Sequence, residues 1–446
     1  MIKVLTLLLL LPFAAWSQTV HSDSTATEAK EVKTGANIGL LPVVAYDADL
    51  GLQYGGLANL FLYGDGSSYP MYKHSIYGEI SRYTRGSGIN RLFYDSWYLI
   101  PGLRVTADLS YLTEQAYAFY GFNGAESVFN ATWMDDQSAD YRSRMFYRHA
   151  RERVRILIDF QGRIIGDKLR WIAGFTHLND RISSVDIDQL NEGKTDDLLP
   201  SVEAMPGLYE RYVAWGVIPE NEADGGINNY LKLGFIWDTR DNEPNPMRGM
   251  WSEALLFSAP GFLINETPHH ILNLTHRQYF TLIPRDLSLA IRLMAQQTIS
   301  GSAPFYVKPN VVTSFQRGVS SDGIGGGKTV RGVLLNRIVG NGVFMGNVEM
   351  RWKVWHFRLL NNNFYLGLNA FLDAGQVIKP VDMNFDQLPE DYDSFFNDSG
   401  EKMHFGTGLG FRVAMNQNFV VALDYGFALD SQDGDQGMYI GLNYLF

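Results

Sequence analysis

The sequence of 446 residues contains no cysteine, which excludes a disulfide framework, a thiolate metal site and a lipid-modified cysteine behind a leader. After its first residues it has no apolar run near the ~18 residues that a membrane-crossing helix needs, so a helical membrane protein is excluded too. It also lacks a basic surplus. A formal net charge of -11 and a pI near 5.3 argue against a nucleic-acid partner, because nucleic acid selects basic surfaces. What is abundant is aromatic and small: 24 Tyr, 27 Phe, 9 Trp and 44 Gly, a mixture of strand formers and of side chains that settle at membrane interfaces.

The start of the chain indicates export. Lys3 is followed by the apolar run Val4 to Ala15 and then by Ala15-Trp16-Ser17, with small residues where a signal peptidase cuts. Residues 1–17 are therefore expected to be a signal peptide removed before Gln18. Residues 18–35 are polar and rich in Ser, Thr, Glu and Lys, which predicts a flexible periplasmic tail, and the barrel argued below is expected over 36–446.

From there the dominant signal is alternation with a period of two. Phe419, Val421, Leu423, Tyr425, Phe427 and Leu429 share one face and oppose Ala422, Asp424, Gly426 and Ala428. Phe405, Leu409, Phe411 and Val413 oppose Gly406, Gly408, Gly410 and Arg412, and in the last segment Met438, Ile440, Leu442, Tyr444 and Phe446 fall together. Similar segments recur near 38–46, 49–62, 72–82, 89–99, 103–112, 150–161, 168–178, 228–238, 250–258, 270–281, 287–298, 342–355 and 362–374. Together they make about sixteen strands, an even number as single-chain bacterial barrels have. The apolar face suits lipid and the small or polar face suits a lumen.

Connection lengths give a second, independent signal. Those after even-numbered strands are short, as at Ile100-Pro101-Gly102 and Asn416 to Asn418, whereas long ones, near 113–149, 179–227, 299–341 and 375–403, follow odd-numbered strands. Short periplasmic turns and long outer loops are the pattern of an outer-membrane barrel, and a soluble β-sandwich has no reason to place every long connection at one end. The predicted class is all-β: a transmembrane antiparallel β-barrel in the outer membrane.

Residues 320–352 contain Gly323-Ile324-Gly325-Gly326-Gly327-Lys328-Thr329-Val330-Arg331-Gly332 and then Glu349-Met350-Arg351. This stretch resembles the BamA/TamA outer-membrane assembly superfamily, also called the bacterial surface antigen family, whose mark is a Val-Arg-Gly loop tip followed by a strand with Glu-x-Arg. Phe371-Leu372-Asp373-Ala374-Gly375, the turn carrying Asp238, Arg240, Asp241, Pro246, Arg248 and Gly249, and the terminal Phe446 agree with the same resemblance. Val333 departs from it, standing where the family usually has an aromatic. The segment before residue 36 is too short for the periplasmic POTRA domains of the family's assembly factors, so a form lacking them is expected. The resemblance implies a role in outer-membrane biogenesis, inserting or translocating protein or lipid. It also implies outer-membrane lipid or lipopolysaccharide, and other outer-membrane or periplasmic proteins, as partners. A passive pore and a structural or partner-binding barrel are the alternatives.

The site can also be argued from strand parity. Phe344, Val348, Met350 and Trp352 share the apolar parity, so Glu349 and Arg351 point into the lumen; Leu366, Leu368 and Leu372 point out, so Asp373 points in. An arginine delivered by the long loop, Arg331 followed by Gly332, can bridge both carboxylates and give that loop a seat in the lumen. The alternative is that the carboxylates are solvated and Arg331 is a mobile loop charge. A second lumenal feature is the basic stripe Arg151, Arg153 and Arg155, which either pairs with acids or attracts anions.

No cofactor, metal or catalytic residue is expected. Gly323 to Thr329 resembles a phosphate-binding loop, but Asp322 stands where its first Gly should be. His269, His270 and His276 are close in sequence, yet adjacent strand residues face opposite sides. No nucleophile beside a His stands out for a barrel hydrolase.

Overall fold

The segments that carry the period-two pattern form sixteen strands in a computed structural model of the chain. It describes Val32 and residues 34–47, 50–69, 71–243, 245–315, 323–359, 362–415, 419–442 and 444–446. The expected signal peptide and almost all of the expected tail lie outside the described residues. The first strands are β1 (Gly35–Asp47), β2 (Gly51–Gly64), β3 (His74–Tyr83), β4 (Gly88–Ile100), β5 (Leu103–Ala118), β6 (Arg148–Ile165), β7 (Leu169–Ser183) and β8 (Gly225–Asp238). They are followed by β9 (Gly249–Ala259), β10 (His269–Ile283), β11 (Leu287–Gly301), β12 (Gly342–Leu359), β13 (Asn362–Lys379), β14 (His404–Met415), β15 (Phe419–Ala428) and β16 (Gln436–Leu442).

Each strand pairs antiparallel with the next, so one sheet runs in chain order from β1 to β16. Meander order follows from the short turns, which allow only hairpin neighbours. The longest connections, 119–147, 184–224, 302–341 and 380–403, all follow odd-numbered strands and so lie at one end of the sheet.

Lipid as solvent dictates the faces. On β12, Val348, Met350 and Trp352 are 41%, 47% and 51% exposed, while Asn347, Glu349 and Arg351 are 0%, 0% and 2% exposed. Reversing that parity by one residue would turn three polar side chains toward hydrocarbon. At the long-loop end the interior is packed by aromatics. Phe119, Trp133, Tyr147, Tyr212, Phe305 and Phe395, drawn from all four long connections, belong to one buried cluster. Phe119 and Tyr212 meet edge to face with centroids 5.2 Å apart, the arrangement that ring quadrupoles favour.

The end of the chain corrects one expectation. Parity placed Tyr444 and Phe446 on the lipid face with Met438 and Ile440. Instead β16 stops at Leu442, and both rings are buried, Tyr444 against Tyr365, Ala414 and Val420, and Phe446 against Tyr279 and Ala290. The cause is Arg351, which donates to the Phe446 carbonyl at 3.0 Å and lies 4.6 Å and 4.7 Å from the Tyr444 and Phe446 ring centroids. A buried guanidinium with aromatic faces on offer outweighs continuation of the alternation.

Candidate functional site

The site grows from the loop between β11 and β12. Gly332 is held at φ +94°, a region open to glycine, which lets the chain reverse at the loop tip. A side chain at Gly406 on β14 would lie 1.9 Å from the Arg331 carbonyl oxygen, so the bare backbone there is what admits the tip to the wall. Val330 and Val333, both buried, pack with Ile324, Ile338, Met345 and Val377 and so seal the tip from water. The hydroxyl of Tyr439 on β16 accepts the backbone N–H of Gly332 at 3.0 Å.

Arg331 then points into three carboxylates. Its Nε and Nη2 donate to the two oxygens of Asp373 at 2.8 Å and 3.0 Å, a planar fork, and its backbone N–H donates to the same carboxylate at 3.1 Å. Its Nη1 lies 2.6 Å from Oε1 of Glu349 and 3.3 Å from Oδ2 of Asp424. The guanidinium carbon sits 3.5 Å from the Phe371 ring centroid. Burial alone would lower the pKa of Arg331, but the charges of Glu349 and Asp373 and the Asp373 hydrogen bond hold it well above its ordinary value.

Around this centre further arginines meet the acids. Arg351 is 2.7 Å from Glu349, and Arg412 makes a fork to Asp424 at 2.8 Å and 2.9 Å, so three arginines face three acids. Asp424, Arg412, Tyr439 and Phe371 were not assigned to the site from sequence. Parity did place Asp424 and Arg412 in the lumen; what it lacked was proximity, since β15 comes beside the tip only when the sheet curls. Arg337 was missed as well: it donates to the carbonyls of Gly124, Ser127 and Gln432 at 2.8, 2.8 and 2.9 Å, tying three loops together.

The turn between β8 and β9 is a second assembly. Asp238 accepts from Nε and Nη2 of Arg240 at 3.0 Å and 3.1 Å, and Asp241 accepts the backbone N–H groups of Met247 and Arg248 at 3.0 Å and 3.3 Å. Gly249 has φ +93°, and a Cβ there would meet the Thr239 carbonyl. Glu243 reaches Arg104 of β5 at 3.4 Å, while Asn245 donates to the Tyr365 hydroxyl of β13 at 2.7 Å. The turn thus crosses the lumen between distant strands. Gly375 faces the β11–β12 loop, where a side chain would strike Ile324 and Ile338.

The basic stripe is neutralised by its neighbours. Arg151 pairs with Glu114 at 2.6 Å, Arg153 with Asp180 at 2.6 Å, and Arg155 with Asp108 at 3.0 Å. His269 meets the Tyr230 hydroxyl inside, whereas His270 and His276 meet Ser258 and Ser252 on the other parity. Gly323 to Thr329 is a turn-rich loop in which Thr329 Oγ1 accepts the Gly325 N–H at 2.8 Å, leaving its backbone occupied internally.

An antiparallel sixteen-stranded sheet with an apolar outer face and a loop arginine seated among lumenal acids defines an outer-membrane β-barrel whose interior is occupied by its own chain. Residues 73–446 match the Omp85 superfamily domain, and the chain belongs to the Omp85 superfamily, whose barrels are outer-membrane proteins. Its fold is similar to that of BamA from Haemophilus ducreyi lacking POTRA domains 1-3, with 14% identity, a TM-score of 0.51, and coverage of 92% of this chain and 70% of that one. It is also similar to CdiB from Escherichia coli, with 9% identity, a TM-score of 0.54, and coverage of 92% of this chain and 63% of that one. No curated protein matches the sequence.

Proposed function

We propose that this barrel acts in outer-membrane biogenesis, inserting or translocating protein or lipid at the junction of its first and last strands, with the Arg331 loop tip bracing the wall beside that junction. The observation that carries the reading is the junction itself. Every consecutive pair of strands forms a ladder, yet among the described residues none joins β1 to β16. β16 has 7 residues against 13 in β1, so even full pairing would leave part of β1 uncovered. Unpaired N–H and C=O groups are costly in hydrocarbon, and such an edge is a template for an incoming strand. The aromatic packing and buried ion pairs in the lumen weigh against the rival reading, a passive pore.

Two experiments separate these readings. Depletion should change the amounts of outer-membrane proteins or lipids, and paired cysteines joining β1 to β16, introduced into a chain that has none, should reproduce that loss when oxidised. If depletion instead left both inventories unchanged and lowered only small-solute uptake, the pore would be the right reading. The purified barrel is expected to conduct weakly and irregularly until about residues 318–336 are removed. We further infer that the exported protein begins at Gln18, which N-terminal sequencing of the outer-membrane fraction checks.

A further inference from the structure

The connection between β9 and β10, residues 260–268, behaves unlike its longer neighbours. β8 and β9 pair as far as Leu231 with Ser258, and the position that would next face Asn229 is Pro260, which has no N–H to donate. The Asn265 side chain takes over the ladder. Its Oδ1 accepts the Asn229 N–H at 2.7 Å, and its Nδ2 donates to the carbonyls of Asn229 and Pro260 at 2.9 Å and 2.8 Å. The side chain of Asn229, which shares the outward parity of exposed Leu233 and Phe235, donates to the Leu263 carbonyl at 2.9 Å. The short turn Gly261–Leu263 is therefore clamped to the outer side of the wall, not to the lumen.

That clamp presents two apolar side chains to the outside. Phe262 is 77% exposed and Ile264 86%, the highest values of any large apolar residue among the described ones. Ile264 holds φ +62° and ψ +35°, a left-handed conformation that a β-branched residue rarely adopts. Glycine or asparagine would sit there with less strain, so the side chain is kept at a conformational cost. The adjoining wall identifies the level in the membrane. His177 bonds to Asn229 at 2.8 Å and Ser258 to His270 at 2.7 Å, a polar band at the long-loop rim of the outward face, while Leu233, Phe235 and Leu274 form the apolar belt beyond it.

We propose that residues 261–264 form an apolar foot that beds into the headgroup–acyl boundary of the leaflet at the long-loop end, so that the partner of this surface is lipid. The foot continues the lipid-facing wall sideways at the level of the polar band, and a pre-clamped turn loses little conformational freedom when it enters the interface. It also fixes the height and tilt of the β8–β10 region in the bilayer. Leu388 supplies the contrast: it is 71% exposed as well, but its neighbours Asp386, Gln387 and Glu390 are exposed polar residues.

The absence of native cysteine allows a direct test with single nitroxide labels at Phe262→Cys, Ile264→Cys, Leu388→Cys and Leu274→Cys in the full chain, reconstituted into phospholipid vesicles containing lipopolysaccharide. Collision with oxygen, which concentrates in lipid, is compared with collision with a water-soluble nickel chelate. Labels at 262 and 264 should favour oxygen severalfold relative to the label at 388 and approach the label at 274. The label's own hydrophobicity is common to all four positions. A nickel-favoured ratio at 262 and 264 equal to that at 388 would overturn the proposal. Occlusion from both reagents would also overturn it, because it would mean that protein covers the foot.

Discussion

Two walls of one lumen bury arginines in different ways. On the β5–β7 wall, Arg151, Arg153 and Arg155 meet Glu114, Asp180 and Asp108, each on the strand next door. On the β12–β15 wall the acids Glu349, Asp373 and Asp424 also come from strands, but the arginine they share, Arg331, comes from a loop. Pairs of the first kind form whenever the sheet forms, because register alone brings the partners together. The second kind exists only while the loop is home. The acids of the first wall thus keep their arginines whatever the loops do, whereas Asp373 on the second loses its fork whenever the tip withdraws.

The largest effect is expected from Arg331→Ala, which leaves Asp373 without its fork and Glu349 and Asp424 short of countercharge. Breaking a buried pair from one side costs about 3–5 kcal/mol. The variant should unfold at lower urea, and residues 323–341 should become sensitive to protease in the folded barrel. Arg331→Lys should recover only part of this, since an ammonium cannot reproduce the planar fork. Equal protease resistance in wild type and Arg331→Ala would remove the distinction between the walls.

Next comes Arg153→Ala, which orphans Asp180 and frees the Asn310 side chain that also accepts from Arg153 at 2.8 Å. The loss should be about 3 kcal/mol, the low end for a broken buried pair, because Arg153 serves one acid whereas Arg331 is shared by three. The 323–341 tip should stay protected. Release of that tip would show that the walls are coupled.

Gly406→Ala probes the seat without touching a charge. A methyl group 1.9 Å from the Arg331 carbonyl oxygen must push the tip away, and overpacking of this kind costs about 1–3 kcal/mol. Loop protease sensitivity should rise more than barrel unfolding shifts. The smallest effect is expected from Lys328→Ala. Its exposed side chain reaches toward Gly441 and forms no ion pair among the described residues, and exposed charges contribute about 0–1 kcal/mol. Melting within a degree or two of wild type would agree with that ranking, and a loss matching that of Arg331→Ala would place the anchor at the wrong residue.

Much of the barrel could be read before the structure, because lipid on one side imposes a local rule. Val348, Met350 and Trp352 must alternate with Asn347, Glu349 and Arg351 wherever they lie in the chain, and the long connections after β5, β7, β11 and β13 can be counted directly. The inward aim of Glu349, Arg351 and Asp373 followed from the same rule. Asp424 followed it too, but parity says only that a side chain faces the lumen, not which other lumenal side chain it meets.

What the sequence by itself determined is therefore the number of strands, their faces, and the end that carries the long loops, since each depends on neighbours within about ten residues. The tertiary structure decided that Arg331 takes a third acid from β15, that the 239–248 turn reaches both Arg104 and Tyr365, and that Tyr444 and Phe446 turn inward toward Arg351. The last case shows why. Alternation holds a strand only while lipid is its outer neighbour, and where β16 stops at Leu442 a buried guanidinium and a carbonyl partner offer the terminal residues a better environment than the membrane face.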